Sequence, residues 1–432
     1  MKCIRQFLIC TLASAALCTQ VRAIKIHERT LPNGLKVVVA PDPFLRLSSV
    51  DVWVRAGTAL EYENEKGSAH FLEHVLFKGT TTRGAGQMDL AIENVGASLN
   101  AATSKDWAHF YTTVATEYIS TALELLSDAL ENPAFSPSEV ARESQVISIE
   151  VANRRSEPMQ LLDDTLADNL FGKHPYARPV YGTIDQIRAL TPASLRSFHK
   201  RCYVAGAMTV VVVGNVAPED IFKKVEARFG SIKGPEAVKW PEPAVRPSQA
   251  TTVDLPKALG NQEWLSVGFI GPGVDSPEDV WATDILCSVL ARSNAGVLQD
   301  RLVVTDKSGL GVDTTFLTQH LPAMIGIKTA VLPGKIEACQ QAIAQEIAKI
   351  HLNGPTEGEL DAAKRYLLGT YAFEVETAEG QAGSLGFYSI ISDVKDSVAY
   401  AANVRNVKAS DVQRVAKKYL DLDKSVVVRM IK

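Results

Sequence analysis

Residues 68–79 read Ser68-Ala69-His70-Phe71-Leu72-Glu73-His74-Val75-Leu76-Phe77-Lys78-Gly79. The stretch reads as one helix, with Ser68 as N-cap and Gly79 just past its C-terminus. Phe71, Leu72, Val75 and Leu76 supply the apolar surface that anchors such a helix in a core. Positions four apart share a helical face, so His70 and His74 point together and offer two imidazoles to one ion. Glu73 borders that face. Zinc accepts imidazole nitrogen, and a catalytic zinc keeps three protein ligands and one open position. Water bound there falls to a pKa of about 7, and a neighbouring carboxylate is needed to take its proton and return it to the leaving amine. The residue types and their spacing therefore point to a metal site with His70 and His74 as ligands and Glu73 as catalytic base. The plainer alternative is a helix with exposed His and Glu, and the helical context favours the metal.

The third ligand has to come from another element. Ser136-Pro137-Ser138-Glu139 reads as a capping box with Pro at the first helical position. The helix it opens carries Glu143, Ile147 and Glu150. Two helical turns separate the glutamates, so they share a stripe with Ile147 between them. Two carboxylates on a partly apolar stripe need a partner to be worth burying. Zinc would be one; two solvated glutamates on a surface helix remain the alternative from this stretch alone.

Working outward, the chain has 432 residues, 46% hydrophobic and 22% charged, which indicates a globular protein of at least two domains. Residues 1–23 read as a signal peptide: Lys2 and Arg5 form a basic start, residues 7–17 an apolar stretch, and Val21-Arg22-Ala23 a cleavage site. A short membrane anchor is the competing reading. The expected destination lies across the inner membrane, in a bacterial periplasm. Removing residues 1–23 leaves 42 basic and 49 acidic residues, a charge of −7, which argues against nucleic acid as a partner. Cys202, Cys287 and Cys339 remain, too far apart in sequence for a zinc pair and too few for a disulfide framework.

Residues 230–249 hold Gly230, Gly234, Pro235, Pro241, Pro243 and Pro247 with little apolar periodicity. They divide the chain into a domain at 24–232, a linker at 233–250 and a domain at 251–432. The two domains echo each other. Ile187-Arg188-Ala189-Leu190 and Val404-Arg405-Asn406-Val407 each precede a helical stretch and a strand, and the single shift that sets Ile187 on Val404 brings both features into register. Residues 136–149 match residues 356–370 as helix openings. An internal duplication is the economical explanation. Alternating patterns at 35–40, 48–55 and 109–114 mark strands. Each half is expected to be α+β, a mixed or antiparallel sheet with helices packed on one side.

Together these residues resemble the pitrilysin-type metallopeptidases, the H-x-x-E-H or inverzincin group, a family that includes insulin-degrading enzymes and the mitochondrial processing peptidase. The resemblance covers essentially the whole chain beyond residue 23. It is carried by Leu31-Pro32-Asn33-Gly34-Leu35, Arg55-Ala56-Gly57, the run from Gly67 to His74, and Phe77-Lys78-Gly79-Thr80. In that family the third zinc ligand is a glutamate at a set distance beyond the second His, and another glutamate stands two helical turns ahead of it. Counted from His74, these positions are Glu150 and Glu143 here. The resemblance thus implies one zinc per chain on His70, His74 and Glu150, with Glu73 and Glu143 as catalytic residues. It implies two halves arranged as a clam around a chamber, and peptide or unfolded protein substrates bound by strand addition. The family's edge strand follows an Asn-Ala pair, here Asn100 and Ala101. Read without the resemblance, Asn100 is a turn residue.

One departure matters. Family members that work alone carry an Arg and a Tyr in the second half. The equivalent segment, residues 296–315, holds Arg301 but no tyrosine, and none occurs between Tyr203 and Tyr366. The second half also lacks H-x-x-E-H. The expectation is a zinc endopeptidase that works through a zinc-bound water activated by Glu73, as the catalytic subunit of a heterodimer with a homologous, zinc-free partner. The rival expectation is a non-catalytic scaffold or peptide-binding subunit of the same fold. The other histidines have no partner at ligand spacing, although His109, in a strand beside the expected substrate edge, is placed to touch substrate.

Overall fold

The computed structural model describes residues 25–234, 236–255 and 262–431. The expected signal peptide, residues 1–23, lies outside them. The first half builds one sheet from β1 (His27–Thr30), β2 (Lys36–Pro41), β3 (Leu47–Val54), β4 (Asn100–Thr103), β5 (Ala108–Ala115) and β6 (Met208–Gly214), in the order β1-β2-β6-β3-β5-β4. The second builds β7 (Thr251–Leu255), β8 (Glu263–Ile270), β9 (Gly309–Phe316), β10 (Met324–Val331) and β11 (Val426–Met430), in the order β7-β11-β8-β10-β9. The central strand β6 contains four consecutive valines and is buried along its whole length, as suits β-branched residues covered on both faces.

The parallel pairs are β2 with β6 and β7 with β11; every other neighbour is antiparallel. With β1 set aside, the two sheets therefore share one strand order and one pattern of directions. The helices repeat too. Pro137–Ser156 followed by Pro158–Phe171 has its counterpart in Glu357–Glu374 followed by Ala378–Ile391. This is the duplication in tertiary form.

In each half one face of the sheet packs against helices of that same half. Val37, Val39, Val50, Val52, Phe110 and Val210 of the first sheet share a core with Phe71 and Leu72 of the helix Ser68–Val75 and with Leu123 and Phe198 of two further helices. The opposite faces are covered crosswise. Helix Pro158–Phe171 leaves its own half and sets Leu162, Leu166 and Leu170 against Ile270, Val426 and Val428 of the second sheet. Helix Ala378–Ile391 sets Ala378, Ala382 and Leu385 against Val38, Trp53, Val211 and Val213 of the first. Strand patterning cannot reveal this exchange, because a strand buried on both faces reads the same whichever helix covers it. Between Phe229 and Thr251 the described residues form neither helix nor strand, yet Trp240 is fixed there by stacking on His320 at 4.4 Å. Cys202, Cys287 and Cys339 are buried free thiols. No helix among the described residues is long and apolar enough to cross a membrane.

The crosswise contact is tightest at Gly386, where an added Cβ would collide with Trp53 Nε1. Trp53 is buried and stacked on His109 at 3.9 Å, so it has little room to yield. Gly386→Ala is expected to destabilise the protein by about 1–3 kcal/mol through overpacking, seen as a lower urea midpoint. At Gly383 on the same helix a Cβ meets nothing within 4 Å, and Gly383→Ala should be neutral or mildly stabilising. Equal responses from the two variants would show that the helix does not dock closely on Trp53.

Candidate metal centre

The motif helix spans Ser68–Val75, shorter than its sequence suggested. Ser68 is not its cap. Gly67 occupies that position with φ 88°, and the Ser68 hydroxyl is buried with no partner among the described residues. The helix start is satisfied instead by Glu61, whose carboxyl accepts from the N–H groups of Gly67 (3.1 Å) and Ala69 (2.9 Å). Burial pushes the Glu61 carboxyl up to about 8, against the pull of those two N–H groups. Local pattern reading missed Glu61; an acidic side chain ahead of a helix N-terminus is its one sequence signal. At the other end Leu76 closes the helix on Leu72, and Gly79 lies beyond the cap. The second expected helix forms as read, with the Ser136 hydroxyl accepting from Glu139 N–H and Pro137 leading. The reciprocal half of the box is replaced by an ion pair of Glu139 with Arg142 at 3.5 Å.

The two helices bring four side chains together. The rings of His70 and His74 stand 4.9 Å apart. Glu150 Oε2 lies 3.7 Å from His70 Nε2 and 3.4 Å from His74 Nε2. One ligand atom from each of the three falls within 4.8 Å of the others. Two ligands of a tetrahedral zinc at about 2.1 Å lie roughly 3.4 Å apart, so the donor set fits such an ion. The two glutamates are clearly distinguished. Glu150 faces the Nε2 atoms, whereas Glu143 Oε2 approaches the far nitrogen of His74, Nδ1, at 3.3 Å. That is where a carboxylate orients a ligating imidazole without binding the ion. Arg154 Nε engages the other oxygen of Glu150 at 2.8 Å.

Ionisation states also suit a metal. Burial, and then the neighbouring His74, lower His70 to about 4, so its imidazole is neutral and able to ligate. Burial works to raise Glu150, but His70, the Arg154 contact and His74 outweigh it and hold the carboxyl below its ordinary range. Glu73 is raised, by burial first, against the Thr103 hydroxyl nearby and His74. A carboxylate of raised affinity for protons beside a metal is suited to general-base work.

His70 and Glu73 open on a cavity of about 380 Å³ between the halves. The β4 residues at its wall are Ala102 and Thr103. Asn100 and Ala101 stand further along β4, with Asn100 exposed and opposite Tyr111. The outer edge of β4 has no partner strand among the described residues. The second half contributes Met324 to this cavity, whereas Lys105, Arg154, Arg178 and Tyr181 come from the first. Sequence reading singled out none of these wall residues, which depend on β4, β10 and the loop after Arg178 converging. Arg301 is occupied elsewhere, by Asp306 at 2.7 Å and Gln345 at 3.1 Å. His109 is bonded to the buried Asp51 at 2.8 Å and stacked between Trp53 and Tyr111.

The chain is similar in sequence and fold to known proteins. Residues 36–184 match the family described as insulinase, peptidase family M16. Residues 189–367 match the peptidase M16 inactive domain. An uncharacterized zinc protease of Mycobacterium leprae is 32% identical over 367 residues, covering 84% of this chain and 82% of that protein. A probable beta subunit of the mitochondrial-processing peptidase of Arabidopsis thaliana is 26% identical over 421 residues, 93% of this chain and 77% of that one. Among solved structures, a protease from Helicobacter pylori superposes with a TM-score of 0.89 at 25% identity, covering 95% of this chain and all (100%) of that one. A peptidase M16 inactive domain from Pseudomonas fluorescens, at 23% identity and TM-score 0.85 over 94% of this chain and 98% of that one, shares the fold.

The opposed placements of the glutamates make a direct prediction. Glu150→Gln should lose the metal, whereas Glu143→Gln should keep most of it at about 10–100-fold lower affinity or activity. Metal content by atomic emission checks both, and the reverse pattern would exchange their roles.

Proposed function

The chain belongs to peptidase family M16, and from that premise we propose that it is a zinc-dependent endopeptidase for peptides or unfolded protein segments, acting as the catalytic subunit of a heterodimer. The observation that carries this reading is the convergence of His70, His74 and Glu150 on one point beside Glu73 and the free edge strand β4. His70, His74 and Glu150 would hold the ion, one per chain. When bound, zinc supplies a Lewis acid that polarises a carbonyl and makes water a nucleophile at neutral pH. Glu73 takes the proton of the attacking water and delivers it to the leaving nitrogen. Glu143 keeps the His74 ring in place, and Arg154 leaves one oxygen of Glu150 free to ligate. An extended peptide adds to the outer edge of β4, its backbone held past Asn100 and Ala101 and its reacting carbonyl near Ala102 and Thr103. Residues 1–23 then serve as a signal peptide for export to a bacterial periplasm.

The partner follows from what the second half withholds. Negative charge develops on the scissile carbonyl oxygen, and each preorganised donor to it is commonly worth ~3–4 kcal/mol. Among the described residues Met324 is the second-half side chain at this cavity, and it donates nothing. A homologous, zinc-free subunit would supply the missing donors. The name of the Arabidopsis relative, a beta subunit of a processing peptidase, supports a two-subunit enzyme. The second reading, a non-catalytic subunit, draws on the match to an inactive domain, but that match begins at residue 189 and excludes the motif.

Glu73→Gln should keep its zinc and its fold while kcat falls at least about a hundredfold; near-normal turnover in the zinc-loaded variant removes Glu73 from the role of base. The zinc-loaded single chain should cleave a mixture of unfolded peptides weakly and gain activity with its co-purified partner. Turnover of about 1–10 s⁻¹ without a partner would overturn the heterodimer.

A further inference from the structure

The duplication repeats the cavity as well as the fold. The metal cavity is enclosed by the motif helix, the end of edge strand β4, the C-terminal part of Pro137–Ser156 and the crosswise helix Pro158–Phe171. The same four elements of the second half are helix Pro277–Leu290, the end of β9, the C-terminal part of Glu357–Glu374 and the crosswise helix Ala378–Ile391. They enclose a second cavity of about 510 Å³, whose wall also includes Trp53 and His109 of the first sheet. With the first residues of the paired long helices, Pro137 and Glu357, set in register, Thr370 stands for Glu150, Glu374 for Arg154, and Gly383 and Ser384 for Asp163 and Asp164. The carboxylate ligand is gone, and the charge beside it is reversed.

Aromatic rings make up much of the second cavity's wall. Phe316, Tyr371, Phe387, Tyr388 and Tyr400 line the second cavity together with Trp53. Tyr371 and Tyr400 lie 5.0 Å apart, centroid to centroid, and Phe387 and Tyr388 5.2 Å. Its ionisable acids are Asp284 within and Glu374 at the exposed rim, and among the described residues none that lines it is Lys or Arg. His109 is already engaged by Asp51. Asp284 receives a long contact from the Tyr400 hydroxyl at 3.5 Å, and burial pushes its carboxyl up to about 7. A carboxylate in such surroundings is costly unless a cation faces it. Aromatic faces favour a desolvated cation for the same electrostatic reason.

We propose that this cavity is a second, metal-free ligand site, which takes an alkylammonium or guanidinium group on an apolar stem, with Asp284 as counter-charge and the tyrosine and phenylalanine rings as walls. The apolar stem lies along Phe316 and Phe387, and Glu374 at the rim draws the cation inward. The cation comes either from a free amine or from a Lys or Arg side chain of a peptide. The site is independent of zinc and of peptide hydrolysis.

The test uses the full chain with Glu73→Gln, so that no substrate is consumed. It is titrated calorimetrically with n-butylammonium, N-acetyl-arginine amide and the neutral N-acetyl-norleucine amide. Both cations should bind at least about tenfold more tightly than the neutral amide, and Asp284→Asn should weaken them about tenfold or more. Thr370→Lys, a substitution at an exposed position that offers the cavity an ammonium of the chain's own, should block binding even if Asp284→Asn does not fold. Glu150→Gln should leave cation binding unchanged although it empties the metal centre. Equal affinity for the neutral amide, or cation binding that survives both Asp284→Asn and Thr370→Lys, overturns the proposal. Loss of cation binding in Glu150→Gln would also overturn it, by placing the cation at the metal centre. With the site upheld, a short peptide containing one Arg identifies the source: tighter binding than the free amines marks a peptide side chain, and equal binding shows that a free amine suffices.

Discussion

The exchange of helices Pro158–Phe171 and Ala378–Ile391 between the two halves is the contact on which the rest of the molecule depends. Each helix covers the face of a sheet that its own half leaves open, so neither half is closed without the other. Such burial stabilises by roughly 25 cal/mol per Å² of apolar surface removed from water, and here it also fixes position. The helix that carries Glu143 and Glu150 ends at Ser156, and the crosswise helix begins at Pro158. Docking the second therefore sets where the first can lie against the motif helix.

At the candidate metal centre, the same burial decides charge. His70 is dry enough to stay neutral, while Glu150 stays ionised because Arg154 and the two imidazoles outweigh its desolvation. A neutral imidazole at His70 and a charged carboxylate at Glu150, facing one point, are states that suit a divalent ion. Glu73, slightly apart, keeps a raised affinity for a proton. Glu73 and Glu150 thus differ in character because their partners differ.

The duplication explains why the second half retains a cavity without the H-x-x-E-H motif. Once the crosswise exchange is in place, each half must enclose a space between its edge strand and its exchanged helix. In the first half that space is bordered by His70, Glu73, Asp163 and Asp164. In the second it holds rings and the carboxyl of Asp284, which desolvation alone would disfavour as an anion. The architecture is common to both, and the side chains at matched positions decide what each space admits.

Much of this was legible in the sequence. The i, i+4 pair His70 and His74, with Glu73 beside it, follows from helical geometry alone, because the helix period is a local property of the backbone. The α+β class was readable from alternating runs, and the repeat from the shift that sets Ile187 on Val404. The N-cap of the long helix was readable at Ser136. Other features depended on residues distant in the chain. Glu61, not Ser68, satisfies the start of the motif helix, because Gly67 turns the chain into the left-handed region before the helix begins. Which glutamate faces the imidazole Nε2 atoms is fixed by the packing of two helices from well-separated stretches of the chain. That Ala102 and Thr103 of β4 line the cavity beside His70 and Glu73 is likewise a matter of how the strand meets the motif helix. The crosswise exchange left no local trace: hydrophobic periodicity records that a face is buried, but not which helix buries it, since the hydrophobic effect has no direction.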